Sequence, residues 1–277
     1  MSLFLFLPLL KWFEYCQVIC YHNFMSMTQY TEADKIIIEL EKAIQQKLGV
    51  RLGGLYIFGS LVGGDFDMQT SDMDLLAMVE TDVTEPELVQ LRDMHEAFAL
   101  SYPEWENRIE VDYVSKDAMR NFKTSTHQIV RISPGEPLHY RDDMGMQWLM
   151  DWHMVQEQGV TVTGPKPQEF IPHIEQQEYM DSIKNIMPSF ADAVSNAKNR
   201  GYQSYIILSL CRNLYALKFG YQTSKPAGGK WAAQEYPDWT HLIENALKWK
   251  GSSDMSDKLT SQAETRLFAE FALKQVG

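Results

Sequence analysis

Cysteine is scarce in this sequence. Three cysteines in 277 residues (Cys16, Cys20 and Cys211) cannot build a disulfide framework. The Cys16/Cys20 pair has no His or Cys cluster elsewhere to complete a zinc site. The expected compartment is therefore a reducing one, the cytoplasm. Positive charge is scarce too: 25 Lys and Arg stand against 37 Asp and Glu, a net charge of -12. Binding along a nucleic-acid backbone needs the opposite balance, so no nucleic-acid partner is expected. Hydrophobic runs long enough for a bilayer, about 20 residues, are missing, so no membrane partner is expected either. The apolar stretch 3–10 has no Lys or Arg before it and no clean small-x-small site after it, unlike a secretion signal. Residues 1–27 are set aside as a leader, since Met25 and Met27 stand just before the first strong helix signal. There is no internal repeat and no low-complexity tract.

What is present is enough apolar material for real cores. Hydrophobic residues make up 45% of the chain and aromatics 12%, which suits two domains of about 110 to 150 residues in a monomer. Thr31-Glu-Ala-Asp34 resembles a capping box, followed by Ile36, Ile37, Leu40, Ala43, Ile44 and Leu48 at helical spacing, with Gly49 as the stop. Short β-prone runs at 55–58 and 75–79 predict two strands, and the alternation over 108–114 predicts a third. A helix opens at Thr84-Glu-Pro-Glu87 and runs to about Leu100, and another is expected from Ser115. Beyond about Asp142 strand signals fade, and helices are expected over 144–158, 175–199, 202–219, 238–250 and 254–275. Ser133-Pro-Gly-Glu-Pro137 has the composition of a connector. The fold class is α+β: a small sheet domain over 28–140, then an all-helical domain over 141–277.

The chemistry concentrates in the stretch 55–79. A strand leads into Gly59-Ser60, and a loop returns through Ser71-Asp72-Met73-Asp74 into the next strand. Side chains two apart on a strand share a face, so Asp72 and Asp74 point the same way. Two carboxylates that close repel unless a cation lies between them, and hard oxygen ligands favour Mg²⁺ completed by water and phosphate. Gly59 allows close backbone approach to a phosphate, and Ser60 adds a hydroxyl at an expected helix start. In Arg108-Ile-Glu-Val-Asp-Tyr-Val114, Glu110 and Asp112 again share a face. If that strand lies beside the second, either Glu110 or Asp112 completes the acidic cluster, as general base or as ligand of a second metal. Ser60 has no nearby His, which excludes a serine-hydrolase mechanism.

Phe-Gly-Ser followed by Ser-Asp-x-Asp-Leu-Leu resembles the Gly-Ser…Asp-x-Asp signature of polymerase β-type nucleotidyltransferases. Most of the chain over 30–275 is similar to the aminoglycoside 3''/9 adenylyltransferases, which modify spectinomycin and streptomycin. The likeness runs through Ile109-Glu-Val111, through Ile206-Ile-Leu-Ser-Leu-Cys-Arg-Asn-Leu-Tyr215, and through Lys225 with Trp231. The resemblance implies a polymerase β-like sheet domain closed by a helical domain, with ATP and the acceptor in the cleft between them. It implies that Ser60 and Ser71 contact the triphosphate, Asp72 and Asp74 hold Mg²⁺, Glu110 is the base, and Lys225 reaches the phosphates. It implies transfer of AMP from ATP to a hydroxyl of a small molecule. The antibiotic-modifying members carry an acid just before the helix matching 206–215, whereas Gly201-Tyr-Gln-Ser-Tyr205 has none. Nor is the family's drug-contacting aromatic evident around Glu136-Pro137-Leu138. Asp142, Asp143 and Asp151, near the domain junction, are the carboxylates left to meet a cationic acceptor. An unrelated metabolite, a protein acceptor, and a catalytically silent nucleotide-binding protein remain alternatives to an antibiotic-modifying enzyme.

Overall fold

The computed structural model describes residues 26–197, 199–252 and 258–276. The expected leader up to residue 25, with Cys16 and Cys20, lies outside the described residues. Helix α1 (Thr31–Leu48) buries Ile36, Ile37, Leu40, Ile44 and Leu48 along one face, and Gly49, at φ +54°, ends it. Asp34 is not half of a capping box. It is buried and accepts hydrogen bonds from Met27 N (2.9 Å), Thr28 N (3.1 Å) and Thr28 Oγ1 (2.7 Å), tying down the chain before the helix.

Strand β1 (Leu52–Phe58) leads through a single turn, α2 (Ser60–Gly63), to β2 (Met73–Val79). Helix α3 (Glu85–Ser101) opens on the expected box, with Thr84 N donating to Glu87 Oε2 at 2.9 Å. It is followed by β3 (Ile109–Ser115) and a short α4 (Lys116–Asn121), capped where Ala118 N donates to Ser115 Oγ at 3.2 Å.

The sheet then exceeds expectation. The supposed connector is a hairpin turn between β4 (His127–Ser133) and β5 (Glu136–Met144), with Gly135 at φ +81°. After α5 (Leu149–Gln158), the short β6 (Val160–Thr163) pairs with β1, although it comes after the expected boundary at 140–141. The strand order is β5-β4-β3-β2-β1-β6, antiparallel except for the β2–β3 pair.

Alternation divides the strands cleanly. Leu55, Ile57, Leu75, Ala77, Val111 and Tyr113 pack on one face, in one core with the apolar sides of α1 and α3. Tyr56, Phe58, Leu76, Met78 and Val114 face the other way and join the core of the helical half. Asp74, Glu110 and Asp112 fall on this second face, where a continuous apolar core links sheet and helices.

The helical half comprises α6 (Gln176–Ala193), α7 (Arg200–Phe219), α8 (Lys225–Glu235), α9 (Thr240–Trp249) and α10 (Lys258–Lys274). Helix α7 is central and touches the other four. Helix α8 was not expected from the sequence, because Gly228-Gly229 dilutes its signal. Those glycines let it lie against α7: a Cβ at 228 would meet Arg212 Cα at 2.8 Å, and one at 229 would meet Leu208 at 2.8 Å. Among the described residues no helix is long and apolar enough to cross a membrane.

Candidate active site

A cleft of about 800 Å³ opens where β1 ends and β2 and β3 begin, with the helical half as its opposite wall. At the exit of β1, Gly59 adopts φ +69°, and a Cβ there would lie 1.8 Å from Asp74 Oδ2. Only glycine fits between the strand end and that carboxylate. The chain turns at once into α2, whose first residue is Ser60. The Ser60 Oγ is buried and has no hydrogen-bond partner among the described residues, so it is available to a ligand.

The loop back to β2 is fixed from below. Arg108 stacks on Trp105 at 4.4 Å and donates to Ser71 O from Nε (3.0 Å) and Nη2 (2.7 Å), and to Met68 O at 3.0 Å. Ser71 is buried in the cleft wall and its Oγ accepts from Asp67 N at 3.0 Å, which leaves its O–H to donate elsewhere.

The parallel register sets Asp74 beside Glu110. One carboxylate oxygen from each of Asp72, Asp74 and Glu110 lies within 4.8 Å of the others. Burial, and then repulsion from Asp72 and Glu110, pushes the Asp74 carboxyl well above the usual range, against the pull of Lys225. Burial also raises Glu110, opposed by Arg131. Groups so crowded either share protons or gain a cation. Three hard oxygen donors around one open space fit a divalent ion such as Mg²⁺.

Asp112 does not join them. It sits one pair further along β3, fully buried on the cleft floor, and burial raises its carboxyl to about 8 against the nearby Arg131. Between the two acids that the sequence left open, geometry places Glu110 in the cluster and Asp112 behind it.

The facing wall is cationic. Arg212 of α7, Lys225 at the start of α8, and Lys250 just after α9 all line the cleft. Ala227 N donates to Ser224 Oγ at 3.1 Å, which caps α8 and sets Lys225 in its first turn. The Lys225 ammonium lies 4.5 Å from the Tyr205 ring centre. Burial and then Arg212 lower its pKa to about 8, while Asp74 and Asp72 pull it up. Desolvated cations crowded together suit a polyanion such as a triphosphate.

Arg131, Arg212 and Lys250 were not singled out from the sequence. A charge inside the apolar run Ile-Leu-Ser-Leu-Cys-Arg-Asn-Leu is the one signal that marks Arg212. Arg131 shows itself only once β4 is recognised as a strand.

The acceptor candidates separate. Asp151, on α5, lines the cleft, and burial raises its carboxyl, opposed by Arg131, Arg212 and Lys225. Asp142 is exposed on β5, accepts from Gln128 Nε2 at 2.5 Å, and is not part of the cleft wall. The Asp143 side chain lies outside the described residues. Around the start of α7, Gly201, Ser204 and Tyr205 reach the cleft without a carboxylate, and Tyr202 stacks on Tyr205 with ring centres 5.9 Å apart.

Two family matches follow this division. Residues 37–134 match the family described as nucleotidyltransferase domain, and residues 169–275 match that described as aminoglycoside adenylyltransferase, C-terminal domain. No curated protein matches the chain. Among solved structures, the fold is similar to that of a spectinomycin adenyltransferase AAD(9) from Enterococcus faecialis, crystallised with ATP and spectinomycin. The TM-score is 0.71 at 16% identity, over 87% of this chain and 98% of that one.

Proposed function

From a chain that joins a nucleotidyltransferase domain to an aminoglycoside adenylyltransferase C-terminal domain, we propose that it transfers AMP from ATP to a hydroxyl of a small, cationic acceptor. One observation carries this reading: three clustered carboxylates on the sheet face three cations on the helices across one cleft. Asp72 and Asp74 would hold Mg²⁺, which when bound supplies charge neutralisation at the α-phosphate, and Glu110 beside them is the base. Ser60, Ser71 and the Gly59 turn meet the triphosphate from the sheet side. Arg212, Lys225 and Lys250 meet it from the helices and draw charge towards the departing end.

The acceptor oxygen attacks the α-phosphorus in line and its proton passes to the Glu110 carboxylate. The bond from the α-phosphorus to the bridging oxygen breaks, and pyrophosphate leaves with the electron pair. ATP as donor fits a cytoplasmic reaction, and the cleft is lined by residues of a single chain.

An aminocyclitol or aminoglycoside is the acceptor class that the C-terminal family and the spectinomycin-bound neighbour support. The net charge of -12 attracts a cation, but that pull is screened beyond about 8 Å at physiological salt. Contact recognition falls to Asp151. The tyrosines at 202 and 205, where the resemblance leads one to expect an acid, favour a second reading in which the acceptor is a different hydroxylated metabolite. The test is incubation with ATP, Mg²⁺ and spectinomycin or streptomycin, followed by mass spectrometry. A product heavier by one AMP, with pyrophosphate, is expected. Pyrophosphate release with neither drug modified, but with another acceptor, would move the conclusion to the second reading.

A further inference from the structure

Arg131 stands apart from the other cations of the cleft. It projects from the middle of β4, while Arg212, Lys225 and Lys250 come from the helices. Its guanidinium is already engaged on three sides. Nη2 donates to Glu110 Oε1, and Nε lies 3.6 Å from Asp112 Oδ1. The planar group rests over the Trp148 ring, 4.9 Å from its centre. The antiparallel register pairs Arg131 directly with Asp112, so its root is fixed by the ladder. Asp112 is fully buried, and neither of its oxygens has a hydrogen-bond partner among the described residues. Burial raises that carboxyl to about 8, so near pH 7 it is mainly a neutral neighbour of the guanidinium. The Trp148 ring and the strand ladder thus hold the arginine, and the arginine holds one oxygen of Glu110.

A glutamate has three side-chain torsions, and here it sits at the rim of an open cleft. Displacing a reacting group by about 1 Å can cost about 10²-fold in rate. We propose that Arg131 is the positioning residue for Glu110: it anchors Oε1 so that Oε2 faces the acceptor hydroxyl, while the Trp148 ring and the β3–β4 ladder hold the arginine in place. Arg131 thus acts through Glu110, although it lines the same cleft. This inference rests on the transferase reading, in which Glu110 takes the proton.

The informative variant is Arg131→Gln/Asp112→Asn, which removes the cation together with any charge on Asp112, with Arg131→Lys as the conservative change. With whichever acceptor wild type modifies, the double variant should lose about 10²-fold in kcat. Its KM for ATP, and its affinity for a non-hydrolysable ATP analogue by calorimetry, should stay within about threefold, the small change expected of a group that does not touch the nucleotide. Arg131→Lys keeps a point charge without the fork and should recover about tenfold. In a Glu110→Gln background the Arg131 change should cost nothing more, because both act on one group. A multiplied loss in that background, or a weakened analogue affinity with kcat intact, would overturn the proposal.

A crystal structure of the double variant needs no acceptor. Glu110 should leave its wild-type rotamer there, and an unchanged Glu110 overturns the positioning role. Absence of turnover in wild type with every acceptor refutes the transferase reading instead, and the crystallographic result still decides this one.

Discussion

Gly59 and Asp74 constrain each other. A methyl group at 59 would occupy the place of an Asp74 oxygen, and φ +69° is costly for any other residue. Gly59→Ala should therefore lower turnover by more than about 10²-fold by displacing the carboxylate, a change visible in steady-state kinetics. Asp74→Asn should separate activity from stability. Its carboxyl is pushed well above the usual range, so the folded protein holds a proton that the unfolded chain releases. Stability from this group is present at low pH and drains away as pH rises through the folded value. Removing the charge should abolish transfer yet raise the melting temperature in EDTA at neutral pH. A lower melting temperature in EDTA would contradict the picture of mutual repulsion. Glu110→Gln should lower kcat by about 10²- to 10⁴-fold with little change in nucleotide affinity. Asp112→Asn should instead act first on stability, because it changes a fully buried side chain behind the cluster. At this scale the pair Asp72 and Asp74 was legible, since strand alternation puts both acids on one face. Alternation left Glu110 and Asp112 open until the β2–β3 register set Glu110 beside Asp74. Arg131 was not legible, because a lone arginine between Val130 and Ile132 says nothing until its strand is known.

Elements with strong periodicity were read well, and those built by tertiary contacts were not. Helices α1 and α3 and strands β2 and β3 carry their own patterns and ends. Strands β4 and β5 are partly polar, and Pro134-Gly135 at their turn has the composition of a connector. Strand β6 is four residues long and exists through pairing with β1. Helix α8 is recognisable only when its two glycines are seen against α7. Within α3, His95 is buried, and its Nε2 lies 2.8 Å from the Tyr113 hydroxyl. Burial lowers its pKa to about 4 from 6.5. Between those values the unfolded chain takes up a proton that the folded one refuses, so stability falls as pH drops from 6.5 towards 4, by about 3 kcal/mol. Urea midpoints across that range should fall more steeply for wild type than for His95→Gln, which can still bond to Tyr113 but does not titrate. Parallel curves would show that His95 is protonated within the fold.

Over the whole molecule, the chemistry depends on two halves that the sequence describes separately. Acids come from the sheet and cations from helices more than 100 residues later, and a shared apolar core sets the distance between them. The division into sheet and helices was legible, but not the facing of Lys225 onto Asp74 across the cleft, which is a product of packing. On the proposed function both walls meet one ligand, so Mg²⁺ and ATP together should raise the melting temperature more than either alone. A ligand at 100 times its Kd adds about 2.7 kcal/mol. The increment should shrink in Lys225→Ala, which removes a cation from the helical wall. The most direct measurement is mass spectrometry of spectinomycin and streptomycin after incubation with ATP and Mg²⁺, using the wild-type chain and Asp74→Asn side by side. AMP transfer across this cleft predicts a drug heavier by one AMP with wild type and unmodified drug with the variant. Modification that persists in Asp74→Asn or in excess chelator would contradict the metal-centred site, and ATP left intact by wild type with every acceptor would contradict the transfer itself.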